Sequence, residues 1–466
     1  MHRRHAVVAG AGIGGLTAAL ALHRRGWRVT VCERAPEPPT TGAGIGLAPN
    51  ALRALDTIGV DAARAAGSAV PATMGVRRSD GRWLTRAETS YMAARYGTPP
   101  IAVPRPAFTA ALAAALPPDA LRYGTTVTGV DDATGRPTVR TAEGPDLPAD
   151  LVVAADGIHS PLRRTHFPDH PGLHYIGETA WRTLVDAPDL RIPSMSETWG
   201  RGERFGVTPL ADGRYYLYAT AVVPAGTRSA DPRAELSRRF GSWHDPIPAL
   251  LDRVGRFDPA DVLQNDLYDL AAPLPRLHHG RIAWLGDAAH AMAPNLGQGG
   301  CQAIEDAVIL AHLLPAGDTG DSTASRDSTA SGDAVPAALA AVVPYLQGRF
   351  TQVQCRPGGR LQGLPQLLTR GEPAQDDRGI QPPGRQGAGE PAAGAQPTPS
   401  VVQEDSAVVV LGRGQAVVEA GEDETVRPGV RSEALGILQQ PGVERPVLGN
   451  EPHFTADPAA YPGPRR

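Results

Sequence analysis

Apolar positions in the first part of the chain follow two different periods. His5 to Ala9 is a short apolar run that enters Gly10-Ala11-Gly12-Ile13-Gly14-Gly15, after which Leu16, Ala19, Leu20 and Leu22 recur at helical spacing up to Gly26. The pattern predicts strand, glycine turn and helix. A second β-type run, Arg28 to Cys32, ends at Glu33; the glycine-dense stretch Thr41 to Asn50 reads as a loop, followed by a helix whose Leu52, Leu55 and Ile58 share a face, with Asn50 as its expected N-cap. Two further buried strands are expected. Asp150 to Asp156 ends in Asp156-Gly157, followed by Ser160 and Arg163, and Arg281 to Asp287 ends in Gly286-Asp287. Beyond the second lie Pro294-Asn295-Leu296-Gly297-Gln298-Gly299-Gly300 and a predicted helix from about Cys301 to Leu314. Between the two strands, residues about 172–272 alternate in β fashion. Glu203 to Leu210, a turn at Ala211-Asp212-Gly213 and Arg214 to Ala219 read as a hairpin, with Trp181 and Arg182 on an earlier strand of the same sheet.

Composition divides the chain. Of 466 residues, 53 are Gly and 46 Pro, and the segment 346–466 holds 18 Gly and 15 Pro with only Phe350, Phe454 and Tyr461 as aromatics. Such a segment buries too little apolar surface to fold, so 346–466 reads as a disordered tail or as the product of a shifted reading frame. Val401-Val402 and Val408 to Leu411 are its main strand-like fragments, and Ala337 to Leu346 reads as a last helix interrupted by Pro344. Asp321 to Ser325 repeats as Asp327 to Ser331, a solvated loop. The net charge of −4 excludes a mainly electrostatic nucleic-acid binder. All basic residues are Arg, so a single Arg carries less functional weight than usual. Cys32, Cys301 and Cys355 have no paired spacing, which gives neither a disulfide scaffold nor a metal site and suits a reducing cytoplasm. The N-terminus lacks a signal-peptide apolar region and no apolar run approaches 18 residues, so no membrane partner is expected.

The glycines carry the candidate chemistry. Gly10 suits the tight turn, Gly12 the close approach of backbone to a pyrophosphate and Gly15 the packing of helix on strand; Glu33, 23 residues after Gly10, suits a ribose hydroxyl. An acid there disfavours a 2′-phosphate. Gly297 to Gly300 place bare amides at a helix N-terminus, where the dipole favours negative charge. No Ser-His-Asp triad, HExxH or Walker A pattern competes.

The three ordered motifs resemble the class A flavoprotein monooxygenases, the group of para-hydroxybenzoate hydroxylase, salicylate hydroxylase, zeaxanthin epoxidase and urate hydroxylase. The resemblance runs from residue 5 to about 345, and Gly297 to Asp306 is nearest the zeaxanthin epoxidase and urate hydroxylase branch. It implies an α/β fold: a Rossmann-like FAD-binding domain (1–74, 101–171 and 273–345) with an inserted, mainly antiparallel β-sheet substrate domain (75–100 and 172–272). It implies FAD contacts from Gly10, Gly12, Gly14, Gly15, Glu33 and Arg34. Further contacts are implied from Gly46, Arg105, Asp156, Gly157 and Asp287, and from Pro294, Gly297, Gly299 and Gly300 at the last helix. Arg204, Tyr216 and Asn295 are implied to face the substrate. Where urate-type enzymes carry an Asp this chain has Asn295, and an amide does not deprotonate a substrate, so a phenol or other electron-rich ring is expected instead of urate. The implied reaction takes hydride from NADPH or NADH and oxygen from O2, through a flavin hydroperoxide, to hydroxylate an aromatic or polycyclic small molecule. The implied enzyme is a cytoplasmic monomer or homodimer without a metal. The alternatives are an epoxidase or reductase on the same fold and a non-catalytic FAD-binding remnant. The Trp-x-Trp-x-Ile-Pro signature of flavin halogenases is absent. His290 is expected to make a structural hydrogen bond at a strand exit, Cys301 to pack as a small apolar group, and Glu305 and Asp306 to serve the helix.

Overall fold

The computed structural model describes residues 3–39, 43–67, 69–133 and 135–317, with 335, 336, 339 and three short strands beyond. Those strands, Ala407–Gly412, Gln415–Glu419 and Phe454–Ala456, form one antiparallel sheet, and the first of them contains the expected Val408 to Leu411 run. The rest of the expected tail 346–466, the repeat at 321–331 and nearly all of the expected Ala337–Leu346 helix lie outside the described residues.

The first sheet has six strands. At its centre His5–Ala9 is buried along its whole length because parallel neighbours flank it, Leu151–Ala154 on one side and Arg28–Cys32 on the other, and helices cover the faces. Ile282–Trp284 pairs parallel with Leu151–Ala154, and the short strand Leu121–Arg122 with Arg28–Cys32. In this register Ala9 stands beside both Ala154 and Cys32, and Ala154 beside Trp284. The residues just past these strand ends, Gly10, Glu33, Asp156 and Gly286, therefore emerge at one edge, where open α/β sheets bind ligands.

The second sheet has seven strands built around the 14-residue strand Leu173–Asp186. The predicted hairpin is present as Glu203–Pro209 and Arg214–Val222, and its second arm pairs antiparallel with Leu173–Asp186. Side chains alternate across this sheet. Phe205, Val207, Leu217, Ala219 and Trp181 face a separate core closed by the helices Pro232–Phe240 and Ile247–Val254. Arg204, Gly206, Tyr216, Tyr218, Thr220 and Arg182 occupy the opposite parity. The strands Thr73–Arg78 and Trp83–Glu88 complete the sheet, the former parallel to Ser194–Gly200.

Two local expectations are corrected. Asn50 is not an N-cap: its helix is Pro49–Thr57 with Ala48 at the cap position, because Pro49 suits the first helical residue, where a missing N–H costs nothing. The glycine-dense stretch is also not all loop. Gly44–Leu47 is a strand paired antiparallel with Ile101–Pro104.

Candidate active site

The turn after the first strand is built on backbone contact. Gly10 has φ +102°, and a Cβ on it would lie 2.4 Å from the Ala155 carbonyl oxygen; a Cβ on Gly15 would lie 2.0 Å from the Gly10 carbonyl oxygen. Both positions are closed to any side chain. A Cβ on Gly14 would likewise press the Leu285 side chain at 2.8 Å. Gly12 is different: nothing stands within 4 Å of its Cβ position, at the cap of the helix Ile13–Arg24. Glu33 spans the same turn, one carboxylate oxygen accepting from the Ala11 N–H at 2.8 Å and the other from the Ala35 N–H at 2.9 Å. Arg34 beside it is exposed.

The Asp-Gly and Gly-Asp motifs are tied to each other. The Arg163 guanidinium is buried; it donates to the carbonyls of Asp287 (3.3 Å) and Ala288 (3.0 Å) and to that of Ile158. Asp156 Oδ2 accepts from the Leu162 N–H at 3.1 Å, while its buried Oδ1 has no partner. Burial pushes the Asp156 carboxyl above its ordinary pKa, against the lowering by Ser160, backbone N–H groups and Arg163. Asp287 is exposed and begins the short helix Asp287–His290. The turn before it is held by Asp306, whose Oδ2 accepts from the Gly286 N–H at 3.1 Å and pairs with His290 Nε2. His290 and Asp306 thus make the structural hydrogen bond that the strand exit needs.

The last helix begins at Gly299, two residues before the expected Cys301, and runs to Leu313. Gly297 adopts a left-handed φ of +61° and ends the single turn Pro294–Leu296. Gly300 admits the Ile45 side chain, 2.8 Å from its Cβ position, so the Gly44–Leu47 strand packs on this helix start. Cys301 is buried below, and burial pushes its thiol up to about 11. Asn50 Nδ2 reaches across to Gln298 (3.2 Å) and Glu305 (2.8 Å). Arg105 opens the helix Arg105–Ala114 and is exposed.

The sheet supplies a wall of side chains. Tyr216 packs its ring on Gly44, whose Cβ position lies 2.6 Å from the Tyr216 Cγ; burial raises the phenol's pKa, while Arg182 and Arg105 lower it. On the adjacent strand Arg204 is only 8% exposed. Its Nη2 donates to Glu178 Oε2 and, at 3.0 Å, to Asn295 Oδ1, its Nε donates to Thr220 Oγ1 at 3.2 Å, and its Nη1 stands 4.0 Å from Glu197. Burial lowers the Arg204 pKa, but Glu197 and Glu178 outweigh it and hold the guanidinium above its ordinary value. Glu197 also accepts from the Tyr218 hydroxyl at 2.7 Å and from Trp199 Nε1. Burial first, and Glu197 second, push the Tyr218 phenol well above its usual range. The Tyr218 ring lies over Gly206, whose Cβ position is 2.0 Å from it.

The structure thus brings Arg204 and Asn295 into contact, and Tyr216 against the Gly44–Leu47 strand. The sequence did not single out Glu178, Glu197 or Tyr218. The available signal was faint: an acid in the middle of each of two strands, at the parity of Arg204.

Residues 3–343 match the family model described as FAD binding domain. The chain belongs to the class A flavoprotein monooxygenases. Aurachin C monooxygenase/isomerase of Stigmatella aurantiaca is 39% identical over 310 residues, 66% of this chain and 80% of that protein. The 2-heptyl-3-hydroxy-4(1H)-quinolone synthase of Pseudomonas aeruginosa is 33% identical over 314 residues, 66% of this chain and 80% of the relative. The crystal structure of Klebsiella pneumoniae HpxO complexed with FAD and uric acid superposes with a TM-score of 0.65 at 30% identity, covering 74% of this chain and 85% of that one. This flavoprotein is therefore an FAD-dependent aromatic monooxygenase. The residues present fit the cofactor: open space above Gly12, Gly46, Gly157 and Gly297 admits a close approach to backbone, and the unpartnered, buried Asp156 Oδ1 awaits a donor. No helix among the described residues is long and apolar enough to cross a membrane.

Proposed function

We propose that this monooxygenase hydroxylates an electron-rich, oxo- or hydroxy-substituted heteroaromatic ring, with NADPH or NADH as reductant and O2 as oxidant. The contact of Asn295 with Arg204 carries the reading. At the point where the cradle meets the sheet the chain offers an amide and no free carboxylate, so the site recognises polar ring atoms without removing a proton there. A quinolone and uric acid, named for two of the relatives, are both oxo-substituted nitrogen heterocycles; the missing acid argues for the quinolone type and against urate. FAD, when bound, supplies the redox chemistry and oxygen activation.

The chain's own residues do the rest. Gly12 and Gly157 let backbone N–H groups approach the pyrophosphate, with Gly10, Gly14 and Gly15 shaping that turn. Glu33 and Arg34 bind the adenosine end. Asp156 accepts from the cofactor, Asp287 holds the ribityl chain, and Gly46 and Arg105 border the ring. Pro294 and Gly297 set the entry of the helix Gly299–Leu313, whose N-terminal amides at Gly299 and Gly300 stabilise negative charge on the reduced cofactor. Tyr216 and the sheet exclude water from the reacting ring. The division of labour between 1–74, 101–171 and 273–345 for cofactor and 75–100 and 172–272 for substrate belongs to the same proposal, as does a monomer or homodimer. The buried free thiols of Cys32 and Cys301 support a cytoplasmic location.

Purified protein should be yellow. Adding 4-hydroxyphenols and 4(1H)-quinolones one at a time should stimulate NADPH or NADH oxidation and yield a product heavier by one oxygen for at least one quinolone. Stimulation by no member of either panel would reject the reading.

A further inference from the structure

Asn295 is the bridge between the two halves of the site. It belongs to the turn Pro294–Leu296 on the cofactor side, yet its carboxamide oxygen accepts from Arg204 on the sheet, 91 residues earlier. An arginine has only donors, so the amide has one orientation in this contact: Oδ1 faces Arg204 and Nδ2 faces away. Asn295 is exposed, and its Nδ2 donates to no described residue. Arg204, by contrast, spends both Nη2 hydrogens on protein, one on Glu178 and one on Asn295, and its Nε on Thr220. Glu178 is 5% exposed, so its carboxylate is committed to this pair.

We propose that Asn295 is a specificity-determining residue that donates its Nδ2–H to an exocyclic oxygen of the substrate ring, and that Glu178 is a positioning residue that fixes this orientation through Arg204. The inference rests on the hydroxylase reading above and names the group that the site recognises. The substrate class is a ring bearing a carbonyl or phenolate acceptor. A ring carrying an amino group at the same place leaves two donors facing each other and is rejected, since a site built around one hydrogen bond discriminates strongly against a ligand that cannot make it. Replacing Asn295 by Asp puts an acceptor in place of the outward donor and reverses the demand.

The test uses the FAD-loaded, oxidised full chain without reductant and two probes of matched shape, 4(1H)-quinolone and 4-aminoquinoline, with binding read from the change in flavin absorbance. The native chain should bind the quinolone at least about tenfold more tightly. Asn295→Asp should reverse the order, and Glu178→Gln should bring the ratio toward unity with FAD affinity unchanged in both. Glu178→Asp, which keeps the charge, should restore part of the preference. A ratio unmoved by Asn295→Asp, or equal binding of both probes by native protein that turns over the quinolone, would overturn the inference alone. Failure of native protein to bind either probe, together with no stimulated NADPH or NADH oxidation, would overturn the hydroxylase reading itself. If Glu178→Gln does not fold, the reversal in the exposed Asn295→Asp variant still decides the central point.

Discussion

The cofactor cradle and the substrate wall are made of different material. The cradle uses backbone: glycines where a Cβ would strike a carbonyl, glycines where the space is open, and a helix start with bare amides. The wall uses side chains, with one guanidinium held between two carboxylates on a sheet face. A cradle built from backbone serves one invariant ligand and tolerates change only where a side chain has room. A wall built from buried charges can be retuned by one substitution, but each member depends on the others being present.

The largest effect is expected in the wall. Arg204→Met strands the Glu178 carboxylate and deprives Glu197 of its nearest cation, and should cost about 3–5 kcal/mol in denaturant unfolding. A cost below about 1 kcal/mol would show that the cluster is not a unit. Next is a contrast within the cradle. Gly15→Ala drives a Cβ into the Gly10 carbonyl and should cost at least about 1–3 kcal/mol in the apoprotein. Gly12→Ala meets nothing and should leave apoprotein stability within about 0.5 kcal/mol while weakening FAD binding. Equal destabilisation by the two would break the distinction between closed and open glycines.

Asp156 supplies a pH test of the cradle. Its carboxyl is raised by burial in the ligand-free fold, so its contribution to stability is present below the ordinary carboxylate range and is lost as pH rises through the raised value. Asp156→Asn should therefore stabilise the apoprotein at neutral pH but not in acid, and should weaken FAD binding. Unchanged FAD affinity would remove Asp156 from the cofactor site. The smallest effect concerns an accessible charge cluster on the helix behind the wall. Arg238, with burial opposing it and Arg239 adding to it, holds Glu235 down to about 2. That contribution is present above the ordinary glutamate range and fades as pH falls toward 2. Glu235→Gln should cost less than about 1 kcal/mol near neutral pH, and the loss should shrink in acid and at high salt. A cost rivalling that of Arg204→Met would erase the difference between buried and accessible charge.

Much of the cradle was legible because its parts are local. Gly10 to Gly15 and Glu33 belong to one strand, turn, helix and strand, and the spacing records the geometry. Asn50 and the Gly44–Leu47 strand were misread because their partners, Gln298, Glu305 and the Ile101–Pro104 strand, are far away in sequence. Of the wall, the hairpin and its place in one sheet with the strand of Trp181 and Arg182 were legible, and the resemblance pointed to Arg204, Tyr216 and Asn295. That Glu178 and Glu197 converge on Arg204 depends on four strands and their register, which no local pattern contains.

The sequence by itself determined the fold class, the FAD-binding motifs and the presence of an alternating sheet, because each is written in short periods and fixed spacings. Tertiary structure alone decided which acids neutralise Arg204, which end of Asn295 faces outward, and which glycines are closed by a neighbouring carbonyl. Those depend on how separate strands, turns and helices pack together, where hydrogen-bond direction and contact distance, not residue type, set the outcome.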